Sequence, residues 1–169
     1  SIEMGEPKYH SLDQVRCLID TAPSLLEQTI ITVCFSSACR ISEVLGLMVD
    51  DLELDAGVAT VTRKGGRRER VALGRQGTEA LREWLAQRRA RSKRVFMDYT
   101  YQDIYRMLKQ TAKKAGIPDF TPHRLRHSRV IHLRQAGLQW DDISDTRGGC
   151  WEQSPWPAAA ERSARAPPF

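Results

Sequence analysis

Apolar residues near the start of the chain recur at helical spacing and predict three helices. The first begins after Ser11, which matches a capping box with Gln14 three residues later. The second begins after Ser24, where Glu27 repeats that signature. Its segment LLEQTIITVCFSSA is apolar on most sides, which indicates a buried helix. The third lies in the segment ACRISEVLGL, with its apolar residues directed inward.

The middle of the chain changes to the short period of β-strands. GVATVT, residues 57–62, and RVAL, residues 70–73, are β-branched and short, so each predicts a strand. Gly65 and Gly66 lie between them and favour a tight turn. The pattern predicts an antiparallel hairpin with a basic tip.

Three further helices are predicted after the hairpin. An amphipathic helix begins at Thr78, and YTYQDIYRMLKQTAKKAG forms a helix that Gly116 ends. The last runs through HRLRHSRVIHLRQAG, with Pro122 in its first turn. The predicted fold class is therefore mainly α with a small antiparallel β-sheet (α+β).

The regular pattern stops near Ser144, which divides the chain into a predicted domain, residues 1–143, and a tail, residues 144–169. The tail holds four of the eight prolines and two of the four tryptophans, and it shows no sustained periodicity. We therefore expect it to be irregular.

Composition narrows the function classes. The net charge of +5 allows a polyanionic partner, and the lack of a long apolar run argues against a membrane protein. Cys34 and Cys39 lie in an apolar helical stretch without zinc-ligand spacing, so buried free thiols and a reducing, cytoplasmic location are expected. Basic residues crowd two segments. The first holds Arg63, Lys64, Arg67, Arg68 and Arg70, and the second holds Arg88, Arg89, Arg91, Lys93 and Arg94. The second segment could equally be an ordinary solvated surface.

Four residues have side chains suited to a phosphodiester under attack: Arg40, Lys64, His123 and Arg126. Two guanidinium groups can clamp the non-bridging oxygens, an ammonium can protonate a leaving oxygen, and an imidazole can share a proton. Each has a structural alternative. Arg40 could be a surface arginine, His123 a helix cap, and Arg126 the partner of a core carboxylate, while neighbouring arginines could take the place of Lys64.

The segments ACRISEVLGL, VTRKGGRRERVAL and TPHRLRHS resemble the catalytic domain of the tyrosine recombinases, which include phage integrases. The resemblance runs from about Lys8 to Ile143. It implies site-specific recombination of double-stranded DNA without a metal or other cofactor, and it implies that the four residues just named are catalytic. It also suggests two further groups of residues. The first would contact DNA: Arg63, Arg67, Arg68 and Arg124. The second would orient the catalytic arginines: Glu43 and His127.

The chain departs from this family where the nucleophilic tyrosine is expected. When the family pattern is aligned with this sequence without gaps, that tyrosine falls at Ala158 and the family's third histidine falls at Gly149. All four tyrosines precede TPHRLRHS: Tyr9, Tyr99, Tyr101 and Tyr105. A shifted reading frame or a truncated gene fragment would give such an abrupt change, and the family's N-terminal DNA-clamping domain is not recognisable either.

Four functional hypotheses remain open from the sequence. The chain could hold the phosphate site but be unable to cleave alone, or it could use the tyrosine of a full-length recombinase protomer. It could also be a non-catalytic DNA-binding or recombination-modulating protein. A type IB topoisomerase relative would use a similar set of residues, but the compact motifs favour a recombinase. Whether this chain is itself an enzyme is therefore undecided at this stage.

Overall fold

The computed structural model describes residues 9–89, 91–97 and 99–136, and within these ranges the chain is mostly helical with one small sheet. The helices are α1 (Leu12–Thr21), α2 (Leu25–Ser37), α3 (Ile41–Leu45), α4 (Gly74–Gln87), α5 (Tyr101–Lys114) and α6 (Pro122–Gln135). The strands are β1 (Leu52–Glu53), β2 (Val58–Thr62) and β3 (Arg68–Ala72). The predicted α+β class is confirmed. The predicted tail, residues 144–169, lies outside the described residues.

Helix α2 is the centre of the core. It packs against α1, α3, α4, α5 and α6, and Ile30, Ile31 and Phe35 are fully enclosed. Because neighbours surround it, an apolar sequence on nearly all sides is what its position requires. Cys34 and Cys39 are buried free thiols, as predicted, and burial raises the pKa of Cys39 to about 11. No helix in the described part of the chain is long and apolar enough to cross a membrane.

The helix starts are set mostly by local hydrogen bonds. Ser11 and Gln14 form the predicted capping box at α1. At α2, the Ser24 hydroxyl accepts the Glu27 N–H at 3.3 Å, but the second half of the predicted box does not form. The Glu27 carboxylate is buried and instead accepts a 2.6 Å hydrogen bond from the Thr111 hydroxyl of α5. A buried carboxylate needs a partner inside the protein, and α5 supplies it.

The sheet contains one strand that the sequence did not predict. β1, only two residues long, pairs antiparallel with β2, and β2 pairs with β3 to give the order β1-β2-β3. At the tip of the β2–β3 hairpin, the Arg63 N–H donates to the Arg67 carbonyl at 2.6 Å. The predicted hairpin is confirmed, although β3 begins two residues earlier than expected.

Helix α4 begins at Gly74, four residues before the predicted start at Thr78. The first turn of α4 lies against α2, where the Gly77 N–H donates to the Ser36 hydroxyl at 3.3 Å. Gly74 has a φ of +73°, and a Cβ atom there would lie 2.2 Å from the Ser36 hydroxyl oxygen. A glycine is therefore required at this close approach, and the contact with α2 extends the helix beyond its amphipathic segment.

Candidate active site

A pocket of about 180 Å³ lies beside the first residues of α3, α5 and α6. Residues from three separate stretches of sequence line it: Arg40, Ile41, Ser42, Tyr101, Pro122, His123 and Arg126. Three of the four residues with predicted phosphodiester chemistry are therefore neighbours in the fold.

Arg126 is half-buried and is held by the end of α2. Its Nε donates a 2.7 Å hydrogen bond to the carbonyl of Ala38, which caps α2 in the left-handed conformation at φ 57°. The two terminal nitrogens of Arg126 make no hydrogen bond with a described residue, so they remain available to a ligand. Burial, followed by the like charge of Arg40, lowers the pKa of Arg126, while Glu43 acts in the opposite direction.

Arg40 is exposed and precedes the first turn of α3. Its backbone N–H donates to the Glu43 carboxylate at 2.8 Å, while its guanidinium makes no hydrogen bond with any residue described. His123 is also exposed, next to Pro122 at the start of α6. Two guanidinium groups near each other, with an imidazole beside them, form an arrangement that a phosphate would stabilise.

The buried carboxylate of Glu43 joins the hairpin to α3. Arg63 Nη1 donates to the two Glu43 carboxylate oxygens at 3.0 and 2.9 Å, and Arg63 Nε donates to Glu69 at 3.1 Å. Burial disfavours the charged form of Arg63, but the hydrogen bonds with Glu43 outweigh it and raise the pKa of Arg63. These contacts support the prediction that Glu43 has an orienting role, and that role stays a prediction.

The arginines predicted to contact DNA are ion-paired within the protein. Besides Arg63, Arg67 lies 3.5 Å from Glu69, Arg68 pairs with Asp51, and Arg124 lies 2.8 Å from Asp119. DNA contact by these arginines remains a prediction. These partners neutralise much of the charge that the sequence alone assigns to the hairpin, and a phosphate would have to compete with them.

Lys64 and His127 occupy different surroundings from the pocket residues. Lys64 is exposed in the turn of the hairpin, beside Gly65 and Gly66, and it does not line the pocket. His127 lies one residue after Arg126, and its Nε2 is buried without a hydrogen-bond partner among the described residues. The structure therefore joins Arg40, His123 and Arg126 in one pocket and leaves Lys64 outside it.

Tyr101 is a pocket residue that sequence reasoning missed. It is the first residue of α5, it is 45% exposed, and its ring stacks against Tyr105 with centroids 6.0 Å apart. The sequence pattern presents it only as one of the four tyrosines that precede TPHRLRHS. The usable signal was the cap formed by Thr100 and Asp103, which fixes where α5 begins, but nothing in the sequence indicates that this end meets α3 and α6.

Comparison with known proteins decides the family. The family model described as "Phage integrase family" matches residues 9–148. The chain belongs to the phage integrase family. Its fold is that of tyrosine recombinase and integrase catalytic domains.

Individual members of the phage integrase family give the same assignment. The chain is 29% identical over 162 residues to the tyrosine recombinase XerD of Listeria monocytogenes serotype 4b (strain F2365), covering 85% of this chain and 54% of that protein. It is 33% identical over 136 residues to XerC of Xylella fastidiosa (strain M23), covering 76% and 46%. The chain thus spans about half the length of the curated relatives that it matches.

Solved structures of recombinases share the fold. The crystal structure of XerA recombinase superimposes with a TM-score of 0.76 at 22% identity, covering 97% of this chain and 64% of that one. XerH site-specific recombinase, bound to its difH substrate in a pre-cleavage complex, gives a TM-score of 0.70 at 19% identity, covering 97% and 55%. At these identities the likeness establishes the fold.

Proposed function

We propose that this chain provides the phosphate-binding part of a tyrosine recombinase catalytic site and does not cleave DNA by itself. The observation that carries the proposal is the shared pocket of Arg40, His123 and Arg126, in a chain that belongs to the phage integrase family. The ligand would be a phosphodiester of double-stranded DNA. DNA is the ligand named for a structurally similar protein, the Tn1549 transposon integrase in complex with circular intermediate DNA.

The two arginines clamp the non-bridging oxygens of the phosphate. Attack on a phosphodiester adds negative charge to these oxygens, and a planar guanidinium remains protonated and offers parallel donors. The Ala38 carbonyl already orients Arg126, so its terminal nitrogens are preorganised for this role. His123 shares the proton of the attacking group. Lys64 protonates the leaving 5′ oxygen, which requires the hairpin tip to approach the bound DNA.

Cleavage requires a nucleophile that the chain does not carry at the family position, where Ala158 stands. A full-length recombinase protomer could supply its tyrosine in trans. The alternative is a non-catalytic protein that binds DNA and modulates recombination on the same fold. The ion pairs that occupy the hairpin arginines favour neither of these two possibilities.

We expect the purified chain to form no covalent adduct with nicked suicide DNA. Because the target sequence is unknown, the substrate should be a pool of nicked duplexes with randomised flanking sequence, and adducts should be sought on denaturing gels. An adduct that requires both this chain and a relative whose own catalytic arginines are substituted, and that neither protein forms alone, would support assembly in trans. DNA binding without an adduct in that mixture would favour the modulating role.

An adduct formed by the chain alone would contradict the proposal. Tyr101 would then be the first residue to examine, because its side chain lines the same pocket as the two arginines. The Tyr101→Phe variant retains the ring that stacks on Tyr105 and removes the hydroxyl. Loss of the adduct in this variant would identify Tyr101 as the nucleophile.

Arg40→Ala and Arg126→Ala are each expected to weaken binding to the nicked duplex pool by about 1–3 kcal/mol, because each removes a charged hydrogen-bond donor. Titration by fluorescence anisotropy measures the change. Arg16→Ala, which removes an exposed arginine of α1, is the matched control. Thermal melts should accompany Arg126→Ala, since that change also removes the hydrogen bond to Ala38. Unchanged binding by both pocket variants would mean that the pocket does not engage DNA.

A further inference from the structure

We propose that a second surface, the basic cleft, binds the phosphate backbone of duplex DNA independently of the pocket that contains Arg40. We define the basic cleft by Arg89, Arg91 and Lys93, which line an open space of about 540 Å³ together with Asp50. It lies at the opposite end of α3 from the pocket. The Val49 N–H donates to the Lys93 carbonyl at 2.7 Å, just beyond the last turn of α3.

The cations of the basic cleft lack the carboxylate partners that neutralise the hairpin arginines, among the residues that the structure describes. Four cationic side chains and one carboxylate line it, and Arg89, Arg91 and Lys93 make no ion pair with any residue in the described ranges. By contrast, the hairpin residues Arg67 and Arg70 have carboxylate partners at 3.5 and 3.2 Å. Positive potential therefore persists at the basic cleft, although the sequence alone assigns five cations to each of the two segments.

Arg88 holds the backbone of the basic cleft in place. Its guanidinium donates to the carbonyls of Ser92, Arg94 and Val95 at 2.7, 2.5 and 3.1 Å. The Trp84 indole also donates to the Val95 carbonyl, at 2.7 Å. Arg88 thus ties the carbonyls of Ser92, Arg94 and Val95 to the end of α4, and Lys93 lies within this tied stretch.

An extended phosphate backbone suits the basic cleft better than a small molecule does. Small-molecule sites usually enclose most of the ligand with apolar side chains, whereas the basic cleft is open and its charged groups are spread along one segment. Such a surface matches the repeated charges of a duplex and carries no base-specific contacts. Binding here would raise the affinity for DNA of any sequence and would not require an intact phosphate pocket.

The test is a triple variant, Arg89→Gln/Arg91→Gln/Lys93→Gln, bound to an intact duplex of random sequence. Fluorescence anisotropy across about 50–200 mM salt gives the slope of log affinity against log salt, which should become shallower by about 2–3 if the three cations each displace a counterion. We also expect affinity at low salt to fall at least ten-fold, by roughly the same counterion argument. Arg88 is left unchanged because it holds the segment together.

The matched control is Arg16→Gln/Lys113→Gln/Lys114→Gln, which removes the same charge from exposed positions on α1 and α5. Arg16 has Asp13 and Asp20 as neighbours on its helix, and Lys113 and Lys114 lie in the last turn of α5, where cations complement the helix dipole. The control should therefore change the slope less. Equal effects of the two triple variants, or an unaltered slope in the cleft variant, would overturn the proposal.

Failure of this proposal and failure of the pocket's proposed function can be told apart. If Arg40→Ala/Arg126→Ala loses affinity for the nicked duplex while the cleft variant binds intact duplex normally, the basic cleft alone is refuted. The reverse result refutes the pocket alone. An unaltered chain that fails to bind intact duplex at low salt also overturns the basic cleft, while the adduct experiment with an added relative still tests the pocket.

Discussion

The Glu43→Ala variant is expected to lose about 3 kcal/mol of unfolding free energy, the low end of the cost of breaking a buried ion pair, because Arg63 keeps Glu69 as a partner. The Glu43 side chain is 6% exposed, and that of its partner Arg63 is 16% exposed. Removing the carboxylate leaves Arg63 with Glu69 as its remaining ion-pair partner and also removes the acceptor for the Arg40 N–H. We therefore expect α3 and the hairpin to loosen together.

Chemical denaturation measures this loss. Two further variants test whether the loss comes from breaking a buried ion pair. Glu53→Ala breaks an exposed pair with Arg70, whose side chains are 50% and 54% exposed, and should cost less than about 1 kcal/mol. The double variant Glu43→Leu/Arg63→Met removes both buried charges and should recover much of the stability. If Glu43→Ala costs no more than Glu53→Ala, the ion pair does not join the hairpin to α3.

The Gly74→Ala variant is expected to destabilise the protein by about 2–4 kcal/mol, from the strain of a left-handed backbone and from crowding in a packed region. Its φ is +73°, and the added Cβ would lie 2.2 Å from the Ser36 hydroxyl oxygen and 3.2 Å from the Ser36 carbonyl oxygen. The start of α4 would have to move away from α2, where Ser36 is completely buried.

Two hairpin glycines separate the two causes of this loss. Gly65 and Gly66 also have positive φ, but no atom lies within 4 Å of the Cβ that each would gain. Gly65→Ala and Gly66→Ala should therefore cost only about 1 kcal/mol, the backbone contribution alone. Thermal or denaturant unfolding compares the three variants. A Gly74→Ala loss equal to the hairpin losses would show that contact with Ser36 does not restrict this position.

Glu43 and the end of α2 also position residues of the pocket. α2 supplies the Ala38 carbonyl that orients Arg126, and Glu43 fixes both the backbone before α3 and the Arg63 side chain at the tip of the hairpin. A substitution that breaks either contact would weaken DNA binding by displacing an arginine. Unfolding measurements on each binding variant are therefore needed before any loss of affinity is assigned to a phosphate contact.

Local sequence determined much of this protein. Caps such as those at Ser11 and Ser24 satisfy nearby N–H groups, and the glycines between β2 and β3 permit a tight turn, so these features could be predicted from neighbouring residues. The motifs around Arg40 and Arg126 were likewise sufficient to indicate the family that the comparison confirms.

Contacts between residues far apart in sequence decided the rest. The partner of Glu27 is Thr111, the partner of Glu43 is Arg63, and Tyr101 reaches the pocket because the start of α5 lies beside α3 and α6. No short-range pattern specifies these pairings, since each depends on how helices and strands pack around α2. For the same reason the sequence revealed two basic clusters, but only the tertiary structure distinguished the hairpin arginines, which have carboxylate partners, from Arg89, Arg91 and Lys93, which have none among the residues it describes.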